Sequence, residues 1–283
     1  MQILNTIKIL SSSNATIIFV QNPSLLLSAI VVLYGKFLHK TTIIDAHNAG
    51  IFPIEGKSII LNKTAQLINS LSTNVIISNP ALKPFINKKE DKIFAIPDPI
   101  PEISRHNDYP LKHDKINLVF ICSWALDEPF GAVFKMAENI ANTTHIYITG
   151  NSKGKEKTII NKLPTNVTLT GFLPNDKYND LIHGCDAIMV LTNRDNCLVC
   201  GAYEGVAVEK PMVLSKKKAL VHHFNKGSVY TDNTSSNIEK SIKQLINNYD
   251  KLSCEIKTLK KELKSNMEST LFKFSKMIDN YST

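Results

Sequence analysis

Short, nearly unbroken apolar runs recur along this 283-residue chain and alternate with longer helix-like stretches. The first four are ATIIFVQ (Ala15–Gln21), TTIIDA (Thr41–Ala46), NVIIS (Asn74–Ser78) and KIFAI (Lys92–Ile96). A strand without polar alternation is buried on both faces, which predicts a parallel sheet covered by helices. The segments between the runs supply those helices. Ser24 caps an apolar helix reaching about Leu38, a second covers Lys63–Leu71, and a third lies near Pro80–Ile86. Right-handed β-α-β crossovers follow from that order.

Pro97-Asp98-Pro99-Ile100-Pro101 stops the rhythm, and the polar stretch to about Lys115 reads as a linker. The alternation then resumes. Asn117–Cys122, His145–Thr149, Val167–Thr170, Ala187–Leu191 and Met212–Ser215 read as strands. Ala132–Ile140, Asp176–Gly184 and Ala202–Val208 read as helices. Residues 237–283 are rich in Lys and Glu, with apolar positions at helical spacing. The expectation is an α/β chain of two doubly wound Rossmann-like domains, at 1–112 and 113–240, followed by C-terminal helices at 241–283 that pack back towards the first domain. With four strands the first domain looks abbreviated. Residues 1–14 can add one more strand or helix, but not a β-α-β pair.

Charge and cysteine usage narrow the function classes. The net charge of +8, from 33 basic and 25 acidic residues, describes a mildly cationic surface rather than a nucleic-acid-binding tail. It suits nucleotide phosphates or anionic lipid, although a chain rich in Lys, Asn and Ile throughout acquires such a charge from composition alone. Five scattered cysteines without a secretory signal point to a reducing cytoplasm. Cys197 and Cys200 form a lone C-x-x-C with no second pair, and His222 and His223 are adjacent rather than spaced as ligands, so no metal is expected. The longest apolar stretch, Leu25–Tyr34, is about half the length a bilayer helix needs, which leaves a soluble or peripheral protein.

In open α/β sheets ligands bind beyond the carboxyl ends of the strands. After TTIIDA, Asp45, His47 and Asn48 place an acid, an imidazole and an amide at one strand end. His47 there is either a base for a hydroxyl or a cap on the next segment. Ser123 opens the loop after the fifth strand, where Asp127 and Glu128 precede a helix that they would cap. Gly150 follows the strand His145–Thr149. The loop Thr192–Cys200 enters a helix beside Arg194, an arrangement that holds a diphosphate on backbone amides and a guanidinium. Glu204 inside that helix could accept the hydroxyls of a ribose.

The segment Thr192–Asn233 resembles the donor-binding region of GT-B glycosyltransferases, especially those of the family-four type. In that comparison Glu204 matches the second of two glutamates, Glu209-Lys210-Pro211 the turn after it, and Met212–Ser215 the strand that follows. Asn196 stands where the first acid is expected. Phe19–Gly50 and Ser123–Phe130 are similar to lipid-linked mannosyltransferases of the chitobiosyl-diphosphodolichol type. The resemblance implies two domains facing a cleft, the N-terminal one truncated. It also implies a cytoplasmic glycosyltransferase, soluble or peripheral on the inner membrane face, that uses a nucleotide-sugar without a metal and has a glycan or lipid-linked acceptor. Donor contacts would come from Glu204, Arg194, Asn196, Cys197, Leu198, Val199, Ser123, Gly150 and Lys216. His47 and Asp45 would serve the attacking hydroxyl. Ser123–Phe130 lacks the usual Arg and Lys, so Arg194 or Lys216 has to compensate. Two other readings stand beside this one. One is a non-catalytic remnant whose first domain a partner chain completes. The other is an epimerase of the same architecture, which needs more cleft carboxylates and histidines than are available here.

Overall fold

The computed structural model describes residues 2–153 and 163–281. The chain forms two compact units, Met1–Asp98 with Ser265–Thr283, and Pro99–Lys264.

The first unit contains α1 (Gln2–Ser12), β1 (Ile17–Gln21), α2 (Leu25–Phe37), β2 (Thr41–Ala46), α3 (Asn48–Ile51), α4 (Ile59–Leu71), β3 (Asn74–Ile77) and β4 (Ile93–Ala95). Its strands lie in chain order, β1-β2-β3-β4, all parallel. The segment before β1 is therefore a helix. Ser24 caps α2 by accepting the Leu27 amide, as the sequence predicted. The helix expected near Pro80–Ile86 is a 3-10 run, Pro80–Phe85, because Pro84 cannot donate to an α-helical ladder.

Register divides the side chains of this sheet between two faces. Val20, Ile44, Val75 and Ile77 share one face and form the core beneath α2 and α4. Phe19, Ile43, Asp45, Ile76 and Phe94 share the other. The last turns of the C-terminal helix lie on that second face. Phe274 packs edge-on against Phe19 and Phe94, at centroid distances of 6.3 and 5.4 Å. Tyr281 accepts a hydrogen bond from Asn74 Nδ2 at 3.1 Å.

The second unit contains β5 (Ile116–Phe120), α5 (Phe130–Ala137), β6 (Thr144–Thr149), β7 (Val167–Gly171), α6 (Asn175–Gly184), β8 (Ala187–Val190), α7 (Cys200–Ala207), β9 (Met212–Ser215), α8 (Lys218–His223), β10 (Ser228–Thr231), α9 (Ser235–Asn247) and α10 (Tyr249–Asp279), the last as far as Lys264. Its parallel strands run in the order β10-β9-β8-β5-β6-β7. Every residue of β6, β8 and β9 is buried, as expected of strands covered on both sides.

The stretch expected to be a linker is anchored to this unit from Pro99 onwards. The buried Asp180 carboxylate accepts the amides of His106 and Asn107, each at 2.8 Å, and His183 donates to the Ile103 carbonyl at 2.9 Å. Those amides hold the Asp180 carboxyl below its usual range.

Candidate functional site

The strand order of the second unit reverses between β5 and β8. Successive connections run outward through β6 and β7, then return to β8 beside β5 and continue through β9 and β10. Loops leaving the carboxyl ends of β5 and β8 diverge at such a switch point and open a crevice for a ligand.

The loop after β5 is braced by its own acids. Glu128 does not cap α5; its carboxylate turns back to accept the Ser123 amide at 3.0 Å, the Ala125 amide at 2.7 Å and the Ser123 hydroxyl at 3.1 Å. These bonds hold Trp124 at φ 63°, a backbone conformation that bulky side chains rarely adopt. The indole of Trp124 donates to the Thr149 carbonyl at 3.0 Å. Gly150 follows, at φ 84°, and a Cβ there would sit 2.1 Å from the Cys122 carbonyl oxygen. Only glycine lets the loops after β5 and β6 approach this closely.

Asp127 joins the two crevice loops. It accepts from the Thr192 hydroxyl at 2.5 Å, pairs with Arg194 Nη2 at 3.3 Å, and its carbonyl accepts the Asn193 amide at 2.7 Å. Arg194 is therefore at the crevice, held by a carboxylate on the opposite loop. Asn233 ties in the neighbouring strand ends, donating to the Thr192 carbonyl at 3.0 Å and accepting from Ser215 Oγ at 2.7 Å. Lys216 is exposed immediately beyond Ser215, and Lys217 pairs with Asp195 at 3.0 Å. Cys197, Leu198 and Val199 lead into α7, whose N-cap is Val199.

Asn196 sits at φ 55°. Asparagine tolerates this left-handed turn better than most residues, which gives a local reason for its presence there. Glu204 lies one turn into α7 and is half-buried, with its carboxylate accepting from the Tyr178 hydroxyl on α6. Burial and then the Glu204 charge push the Tyr178 phenol far above its ordinary range, so it stays a donor. Tyr178 carries no signal in the sequence and Asp127 reads there only as a helix cap, since their roles depend on which loops and helices meet. Among the described residues no three His, Cys, Asp or Glu side chains gather as a metal site.

In the first unit, Asp45 and His47 come together at the carboxyl end of β2, with His47 Nε2 3.2 Å from Asp45 Oδ2. Gln21, paired with Asp45 across the sheet, reaches both: 3.4 Å to the carboxylate and 3.5 Å to the imidazole. His47 occupies the N-cap of α3, but its side chain makes no capping bond there. The cluster borders a cavity of about 480 Å³ whose apolar wall includes Phe19, Ile76, Leu271 and Phe274. An imidazole beside a carboxylate can accept a proton from a hydroxyl and be stabilised once charged.

No family model matches the chain, and no curated protein does. Solved structures do. HepE of Anabaena, crystallised in complex with UDP, superimposes with a TM-score of 0.79 at 10% identity, over 98% of this chain and 82% of that one. Sucrose-phosphate synthase of Thermosynechococcus elongatus gives 0.74 at 12% identity, over 99% and 77%. A putative UDP-N-acetylglucosamine 2-epimerase of Listeria monocytogenes gives 0.60 at 12% identity, over 90% and 72%. These likenesses and the two parallel sheets, of four and six strands, establish the fold as the GT-B architecture of paired Rossmann-like units.

Proposed function

We propose that the protein is a glycosyltransferase that moves a sugar from a nucleotide-sugar to a glycan or lipid-linked acceptor in surface polysaccharide assembly. The observation that carries this reading is the β5/β8 switch point, with Arg194 and Glu204 beside it, in a fold shared with a protein crystallised with UDP. The kinship with family-four enzymes, and with chitobiosyl-diphosphodolichol mannosyltransferases, belongs to the same proposal. It rests on Glu204–Ser215 and on Phe19–Gly50.

In this reading Glu204 receives the ribose hydroxyls. Arg194, oriented by Asp127, joins Lys216 and the amides of Cys197, Leu198 and Val199 around the diphosphate. Ser123, Gly150 and Asn196 shape the crevice. No metal takes part, and the charge on the departing diphosphate is met by these fixed donors. The first unit supplies the acceptor side. The acceptor oxygen bonds to the anomeric carbon, the bond from that carbon to the diphosphate oxygen breaks, and His47 takes the hydroxyl proton while Asp45 stabilises the imidazolium. The enzyme would work from the cytoplasm at the inner face of a membrane.

A second reading, nucleotide binding without turnover, is favoured by Asn196 at the position of the first acid. Here a partner chain would complete the first unit along β1, which pairs only with β2 among the described residues. Thermal shift with UDP-, GDP- and ADP-sugars tests both. Stabilisation by one nucleotide series, with release of that nucleotide when acceptor is added, supports transfer; stabilisation without release supports the second reading. No shift from a folded sample contradicts transfer, since ligand at about 100 times its Kd adds about 2.7 kcal/mol, and leaves the remnant, which at most binds nucleotide.

A further inference from the structure

The outer surfaces of α1, α2 and α4 depart from what surface helices normally present, an apolar stripe inward and charge outward. Helix α2 buries Ser28, Val31, Val32 and Gly35, yet Leu26, Leu33 and Phe37 are 59, 59 and 82% exposed. Spacings of seven and four place these three on one outward stripe. On α4, which packs beside α2, Ile60 and Leu67 are 77 and 58% exposed and flank Lys63 on the outward side. Helix α1 packs against α2 and exposes Leu4 and Ile7 next to Lys8. None of the three helices contains an Asp or Glu, and each contributes one exposed lysine: Lys8, Lys36 and Lys63.

We infer that this three-helix surface docks on an anionic lipid bilayer, with the apolar side chains entering the acyl boundary and the lysines meeting lipid phosphates. The charge pattern selects this occupant. A symmetric contact with a second copy would oppose lysine to lysine without a carboxylate to pair either. A bilayer supplies the anions and accepts Leu and Phe side chains at the same depth. No described helix is long and apolar enough to cross a membrane, so the helices would lie in the interface plane. The inference rests on the proposed function for the membrane location and the lipid-linked acceptor, and adds which surface docks.

Co-sedimentation of the whole protein with phosphatidylcholine vesicles, with and without phosphatidylglycerol, tests it with no nucleotide or acceptor present, so failure of the transferase reading leaves the result unaffected. The expected result is binding to the phosphatidylglycerol vesicles alone, reduced at high salt. Leu33→Ser with Phe37→Ser should weaken it at least about tenfold. Lys8→Gln, Lys36→Gln and Lys63→Gln combined should remove its salt dependence. All five positions are exposed, so the melting temperature should hold and report a folded variant. Equal sedimentation with neutral vesicles, or none with either, overturns the inference. So does a wild-type-like Leu33/Phe37 variant, or a dimer in light scattering that the same variant dissolves.

Discussion

The two units solve the burial problem differently. In the six-stranded unit the central strands are enclosed on both faces, and its large exposed apolar side chains number four, Leu126, Leu163, Phe172 and Val221, among the described residues. The four-stranded unit exposes seventeen, from Ile3 to Phe272. One unit turns its strand order at a switch point and gathers polar groups there; the other runs its strands in one direction and keeps apolar surface outside. Under the proposed function the difference corresponds to a division of work. A closed core can hold a ligand crevice in fixed geometry, whereas exposed apolar surface serves association.

The contrast breaks most visibly in the cores. Phe120 on β5 is fully buried, and Phe120→Ala should lower the unfolding free energy of the second unit by about 3–5 kcal/mol in denaturant titration. Phe19 on β1 is 53% exposed, and Phe19→Ala should cost less than about 1 kcal/mol. Comparable losses would mean that the units are not packed as described.

Acid sharpens the comparison next. Burial, with His222 adding to it, lowers the His223 pKa to about 4 from an ordinary 6.5. The unfolded chain therefore takes up this proton first. The stabilising contribution is complete above pH 6.5 and is lost as pH falls towards about 4, amounting to about 3 kcal/mol. His223→Gln should flatten that part of the pH–stability curve, and an unchanged slope contradicts the assignment.

Function should divide along the same line. His47→Ala should leave donor affinity unchanged in calorimetry while slowing transfer about 100-fold, the lower range of general-base effects. Glu204→Ala should weaken nucleotide-sugar binding by about 1–3 kcal/mol. Tyr178→Phe, which removes only the hydroxyl that holds Glu204, should cost about 1 kcal/mol. Affinity untouched by the Glu204 change would remove the ribose assignment.

The alternation of the fold was legible because short, largely apolar runs such as TTIIDA and MVLS are strands buried on both faces, and their bounds match the sequence reading. SVYT (Ser228–Thr231) escaped notice, being short and half polar; it is an edge strand held by pairing with β9. Pro99–Lys115 looks like a linker by composition, but its amides are needed by a carboxylate that lies more than seventy residues away in sequence. At the sites, Asp45 and His47 could be read because they leave one strand end together. The cross-loop grip of Asp127 on Thr192 and Arg194 could not, since it exists only once β8 has inserted beside β5. Asp127 and Glu128 looked like helix caps because their local sequence has no information about the amides and hydroxyls that they meet.

Hydrogen exchange of the whole protein with and without saturating nucleotide, followed peptide by peptide, tests the division of work most directly. Slowed exchange is expected in the Cys122–Pro129 loop and in Leu191–Glu204, with Ile17–Ala95 unchanged. Protection centred on the first unit, or protection absent from both crevice loops while the nucleotide is demonstrably bound, would contradict it.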